Sequence, residues 1–228
     1  MTVADWRLRV GRAAAVLFDF DGTLAPNLDL PDLRRRVVAL TLDRGVPELA
    51  FAGRYIIETL SAGAAWLGER DPAAADALLT EGHLLIRDFE VQAARRTRPF
   101  PRARELLGAL RSHGKSLAVV TRNCRAAVLA VFPDLEDYCH SVLTRDDVPH
   151  LKPDVRHLQR ALEALGHAGE QSIMVGDGQL DMRIGKALGL FCVGVLSGSS
   201  DSAQLEQAGA DVVLAQAADL GHALKADR

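Results

Sequence analysis

Short apolar runs rich in β-branched residues recur along the chain, each separated from the next by a stretch of helical periodicity. They are AAVLFDF (Ala14–Phe20), SLAVVT (Ser116–Thr121), SVLT (Ser141–Thr144), SIMVGD (Ser172–Asp177), FCVGVL (Phe191–Leu196) and DVVL (Asp211–Leu214). Strands that are apolar almost without alternation are buried on both faces, and strands that alternate with helices form a parallel sheet. The expected fold class is α/β. Right-handed crossovers then bring every strand's C-terminal end to one edge, the edge where open α/β sheets bind ligands.

One interval breaks the rhythm. Between Asn27 and Arg98 there is no strand pattern, only helical periodicity in PDLRRRVVALTLDRG, AFAGRYIIETLSAGAAWLGE and DPAAADALLTEGHLLIRDFEVQAARR. The first segment begins at Pro31-Asp32 and stops near Gly45, and Asp71-Pro72 opens the last, as helix-start and helix-stop chemistry requires. Prolines flank both junctions, Pro26 and Pro31 on entry, Pro99 and Pro101 on exit. The expected organisation is a core of residues 1–26 and 99–228 interrupted by a helical cap, 27–98. The run Arg34–Arg36 is expected to be a solvated helix face.

The polar residues sit where the strands end. The first strand delivers Asp19 and Asp21, then Gly22 and Thr23; the second ends in Thr121, followed by Arg122 and Asn123. Lys152 lies in HLKPD past the third, and the fourth ends in GDGQLD with Asp177 and Asp181. Parallel topology converges all of these on one edge. Carboxylates crowded together repel unless a hard cation sits among them, and Mg²⁺ takes oxygen ligands. A carboxylate can act as a nucleophile and divide hydrolysis into two steps. A second one, two residues on, is placed to donate and then accept a proton. Thr121 and Lys152 are suited to holding phosphate oxygens, and the Gly22 turn to offering backbone N–H groups to the same phosphate. Arg122 and Asn123 are further candidates for substrate contact, and Arg54, in FAGRY, can meet a carboxylate or second phosphate bidentately.

Composition narrows the partners. The chain has 228 residues, 48% of them hydrophobic and 25% charged, with a formal net charge of -3. Those are values of an ordinary globular protein, with no basic field to draw it onto nucleic acid or an anionic membrane. No apolar run approaches the roughly 20 residues of a membrane helix. The opening MTVADWRLRVGRAAAVLFDF lacks a continuous apolar signal core, so a cytoplasmic location is expected. Cys124, Cys139 and Cys192 are too far apart for a CxxC pair and are expected to be reduced thiols.

Four motifs in order, DFDGTL, VVTRN, LKPD and GDGQLDM, resemble those of the haloacid dehalogenase (HAD) superfamily. The tail ALGLFCVGVLSGSS…AGADVVL is similar to the phosphoglycolate-phosphatase-like subgroup, whose cap is helical. Where many of that subgroup carry an acidic DS segment after the first motif, this chain has APNLDLP. The resemblance implies a Rossmannoid parallel core with an inserted helical cap, and Mg²⁺-dependent hydrolysis of a small phosphorylated metabolite. It implies Asp19 as nucleophile and metal ligand, and Asp21 as general acid/base with its backbone carbonyl on the metal. Thr121 and Lys152 would bind phosphate, Asp177 would ligate the metal, and Asp181 would support it directly or through water. A sugar phosphomutase and a catalytically idle binding module on the same scaffold are the alternatives. Dehalogenase chemistry is disfavoured because it needs neither Asp21 nor the metal ligands. The chain is expected to be a monomer or homodimer without nucleic-acid or membrane partners.

Overall fold

The computed structural model describes residues 3–224. Six strands form one sheet: β1 (Ala15–Phe18), β2 (Ser116–Val120), β3 (Ser141–Leu143), β4 (Ser172–Gly176), β5 (Phe191–Val195) and β6 (Val212–Leu214). Their order is β3-β2-β1-β4-β5-β6 and every pairing is parallel. β1 is central, with Phe18 opposite Val119 on one side and Val175 on the other. The chain leaves β1 for β2 on one flank and only later builds β4 on the other. The end of β1 is thus a topological switch point, where a crevice opens.

Among the described residues ten α-helices accompany the strands: α1 (Val3–Arg12), α2 (Leu30–Asp43), α3 (Ile56–Gly68), α4 (Pro72–Ala94), α5 (Ala103–Ser112), α6 (Arg125–Val131), α7 (Leu135–Tyr138), α8 (Arg156–Leu165), α9 (Gln179–Ala187) and α10 (Ser202–Gln207). Both faces of the sheet are covered, which is why its strands carry no polar alternation. Leu17, Val120 and Met174 pack with Leu158, Met182 and Leu205 of α8, α9 and α10. The opposite face, with Val16, Phe18, Val119 and Val175, is equally buried. Each such side chain contributes about 1.5–3 kcal/mol by leaving water. At the other end of β1, Lys115 donates through Nζ to the carbonyls of Gly11 and Ala13, satisfying acceptors that the end of α1 leaves open.

The chain divides into two compact units, residues 1–27 with 94–228, and 28–93. The second contains α2, α3 and most of α4, and no strand among its residues. Leu33, Val37, Phe51, Leu60, Leu78 and Ile86 belong to its own apolar core. Asp29 caps α2 by accepting from the Asp32 N–H at 3.0 Å, and Gly45 at φ +78° follows its end. Asp71 accepts from the Ala74 N–H at 3.0 Å and so opens α4. Arg35 and Arg36 pair with Asp32 at 2.9 and 3.0 Å on an exposed face. The middle helix is shorter than its periodicity predicts. It begins at Ile56, because Gly53 takes φ +71°, a conformation outside the helix, and Phe51–Gly53 form a turn ahead of it.

Candidate active site

β1, β2 and β4 each stop one residue before their polar terminus, Asp19, Thr121 and Asp177. β1 ends at Phe18, and the next N–H, that of Asp19, still donates to the Val175 carbonyl at 2.9 Å. The Asp19 side chain is thereby fixed over the sheet edge. Beyond it the chain folds back in a tight turn. Gly22 N–H donates to Ala25 O (2.6 Å) and Thr23 N–H to Phe20 O (3.2 Å). Gly22 has φ +80°, and a Cβ there would lie 2.5 Å from the Asp177 carboxylate, so only glycine fits. The Gly22 and Thr23 amides are thus engaged within the turn. The Thr23 hydroxyl is buried with no partner among the described residues.

Asp19, Asp177 and Asp181 come together at the sheet edge, with ligand oxygens all within 4.8 Å of one another. Lys152 enters among them, 2% exposed, and its Nζ donates to Asp19 Oδ1 at 2.6 Å and to Asp181 Oδ1 at 2.8 Å. Burial pulls the lysine's pKa down, but the carboxylates of Asp181 and Asp19 outweigh it and hold the amine above its usual range. Burial pushes the Asp19 carboxyl well up, with Lys152 pulling it down and Asp181 and Asp177 adding to the rise. Asp181 is raised for the same first reason. One lysine facing three buried carboxylates leaves negative charge uncompensated, and the donor set is all oxygen. The cluster therefore fits a hard divalent cation, with Asp19, Asp177 and Asp181 as the side chains able to hold it.

Asp21 sits on the other side of the turn, partly exposed. Asn123 Nδ2 donates to both of its oxygens at 3.2 Å, and Thr121 Oγ1 approaches at 3.5 Å. The Asn123 amide is oriented by its other end, where Oδ1 accepts from the Cys124 N–H at 2.8 Å. Asn123, expected to contact substrate, thus has its amide set between the Cys124 N–H and Asp21. The Thr121 hydroxyl also accepts from the Asn123 N–H (3.1 Å), at the end of β2 and beside Asp21. Arg122 is partly buried and its carbonyl accepts from Arg145 Nη1 at 2.8 Å. Arg54 belongs to the second unit, exposed in the turn before α3, where its carbonyl accepts from Arg34 Nη1 at 2.7 Å. The three cysteines are buried thiols outside any disulfide, and burial pushes Cys139 and Cys192 up to about 12, far from thiolate chemistry.

Three residues that the motifs do not flag belong to the site. Asn27 and Ser199 donate to Asp177, and Ser197 Oγ donates to the Gly22 carbonyl at 2.7 Å. Ser197 and Ser199 follow β5, a fifth strand end on the same edge. The rule that gathered four strand ends would have found them had it been carried one strand further.

His157, in the first turn of α8, fixes the backbone of the lysine loop: its Nδ1 accepts from the Lys152 N–H at 3.3 Å. It is fully buried, and burial, then the Lys152 charge, lowers it from 6.5 to about 4. A histidine lowered on folding favours the native state when neutral. Its contribution is complete above pH 6.5 and is lost as pH falls towards 4. We expect His157→Gln, which keeps an acceptor but does not titrate, to lose less stability on acidification than wild type. Between pH 7 and pH 4 the gap should move by roughly 3 kcal/mol in the variant's favour, at 1.36 kcal/mol per unit. Urea midpoints across that range measure it, and parallel curves would contradict it.

The chain matches the haloacid dehalogenase-like hydrolase family over residues 13–189. It is 32% identical over 206 residues to the phosphoglycolate phosphatase of Neisseria meningitidis, spanning 85% of this chain and 84% of that one. It is 30% identical over 221 residues to the pyrophosphatase PpaX of Bacillus velezensis, spanning 92% and 96%. Among solved structures, a predicted phosphoglycolate phosphatase from Haemophilus somnus superposes with a TM-score of 0.66 at 21% identity, over 92% of this chain and 97% of that one, a likeness of fold. No helix among the described residues is long and apolar enough to cross a membrane. With the family matched across strands β1 to β4 and their four motifs, the chain belongs to the haloacid dehalogenase-like hydrolases.

Proposed function

We propose that the protein is a Mg²⁺-dependent phosphatase that hydrolyses a small anionic phosphomonoester of the 2-phosphoglycolate kind through an aspartyl-phosphate on Asp19. The observation that carries this reading is the pairing of a buried, lysine-held carboxylate, Asp19, with a partly exposed one, Asp21, two residues on. The identity to phosphoglycolate phosphatases supports the substrate class.

In this reading Asp19 attacks phosphorus and the ester P–O bond breaks. Asp21 gives its proton to the leaving oxygen. Water then attacks the aspartyl-phosphate, losing a proton to Asp21, and inorganic phosphate departs with Asp19 restored. Lys152 orients Asp19 through Oδ1 and supplies positive charge beside the transferring group. Asp19, Asp177 and Asp181 would hold Mg²⁺, which when bound offsets the charge that builds on the phosphoryl oxygens.

The test is hydrolysis by the purified full chain of 2-phosphoglycolate, inorganic pyrophosphate and a panel of phosphorylated metabolites, with phosphate release as readout. Turnover should vanish in EDTA and return with Mg²⁺. Full activity in EDTA would end the metal-dependent reading, and a marked preference for pyrophosphate would replace the monoester with the phosphoanhydride.

A further inference from the structure

Asp177 is held unlike the other carboxylates of the cluster. Its Oδ2 accepts from the Ser199 N–H at 2.6 Å, the Ser199 hydroxyl at 2.8 Å and Asn27 Nδ2 at 3.4 Å. Its Oδ1 accepts no hydrogen bond among the described residues. Backbone presses on the same carboxylate from two sides. A Cβ on Gly22 would lie 2.5 Å from Oδ2, and one on Gly198 would lie 2.0 Å from it. The two glycines and Ser199 enclose one oxygen and leave the other for a ligand. The loop that does this, residues 196–201, is tied to the turn after β1 by Ser197, whose hydroxyl donates to the Gly22 carbonyl at 2.7 Å.

We propose that Ser199 is a positioning residue that makes Asp177 a one-oxygen ligand and thereby favours Mg²⁺ over Ca²⁺ at the cluster of Asp19, Asp177 and Asp181. The inference rests on the metal-dependent reading above. Mg²⁺ demands near-octahedral geometry and suits carboxylates that give one oxygen each, whereas Ca²⁺ takes six to eight oxygens at longer distance and readily accepts both from one carboxylate. With Oδ2 occupied by three donors, two-oxygen chelation by Asp177 would break hydrogen bonds to the loop. Ca²⁺ loses a ligand that it would otherwise use, and Mg²⁺ loses nothing.

The metal-free full chain is titrated with Mg²⁺ and with Ca²⁺ by isothermal calorimetry, without substrate, as wild type and as Ser199→Ala. The variant keeps the backbone donor and should melt within a few degrees of wild type. Loss of an outer-shell partner weakens metal binding by about 10- to 100-fold. We expect Mg²⁺ affinity to fall by about tenfold while Ca²⁺ affinity holds or tightens, so that the preference for Mg²⁺ drops by at least about tenfold. The double variant Ser199→Ala with Asn27→Ala should drop further. A preference unchanged within about twofold in a folded Ser199→Ala protein overturns the assignment to Ser199 and leaves the catalytic reading intact. A wild-type chain that takes up no Mg²⁺ overturns that reading, and the clamp with it.

Discussion

Asp19→Asn should lower turnover by at least about a thousandfold, the scale on which nucleophile losses are measured. The amide keeps the size of the side chain and an oxygen for Lys152 Nζ, 2.6 Å away in the native site, but loses the attacking charge. Thermal melting should show the same or a higher midpoint. Burial, reinforced by Asp181 and Asp177 against the pull of Lys152, raises the Asp19 carboxyl well above its usual 3.8. A raised carboxyl stabilises the fold when protonated. That contribution is complete below pH 3.8 and lost as pH rises through the native value, so at neutral pH the charged form weighs against the metal-free fold. The amide never acquires that charge. The stability gain should therefore shrink as both proteins are taken below pH 3.8. More than a tenth of wild-type turnover in the variant would remove Asp19 from the nucleophile's role. The opposed directions, activity lost and stability kept or gained, separate a reacting group from a structural one.

Most of this arrangement is legible in the sequence because parallel α/β architecture turns a one-dimensional pattern into a three-dimensional address. Apolar runs fixed the six strands to within two residues at either end. The polar residue after each of β1, β2 and β4 then had to face the same edge. Side-chain contacts were less legible, since they depend on which hydrogen bonds a loop makes with itself. The Gly22 turn reads as an anion nest, and the sequence does not show that its Gly22 and Thr23 amides close onto Ala25 and Phe20. Asn123 reads as a substrate contact, yet its amide bridges the Cys124 N–H and Asp21. Ser199, outside the four motifs, lies past a fifth strand end that the same rule reaches, whereas Asn27 meets Asp177 from 150 residues away, a proximity that no local spacing encodes. The late start of α3 had a local sign in Gly53, which helical periodicity across FAGRY outweighed.

Asp21→Asn should separate proton transfer from phosphoryl transfer. Asp21 is partly exposed, where Asp19 is buried, so it can reach both a leaving oxygen and an incoming water. Asn123 Nδ2 at 3.2 Å from both oxygens and Thr121 Oγ1 at 3.5 Å hold it in place. Replacing the carboxyl with an amide preserves the shape and removes the proton. General acid–base catalysis contributes typically about 10²–10⁴-fold, so kcat on an alkyl phosphomonoester should fall by that amount. An activated aryl phosphate such as 4-nitrophenyl phosphate departs without needing the proton, so formation of the aspartyl-phosphate from it should slow by less than about tenfold. Its hydrolysis still needs a base for water. The variant should therefore release nitrophenol in a burst of about one equivalent and then turn over slowly, with phosphate trapped on Asp19. Rapid quench would count the burst, and mass spectrometry of the quenched protein would locate the phosphoryl group. Equal losses on both substrates with no burst would show that Asp21 shapes the site and does not carry the proton. Mg²⁺ binding by the variant, measured apart from turnover, should stay within a few-fold of wild type, because the side chains proposed to hold the ion are those of Asp19, Asp177 and Asp181.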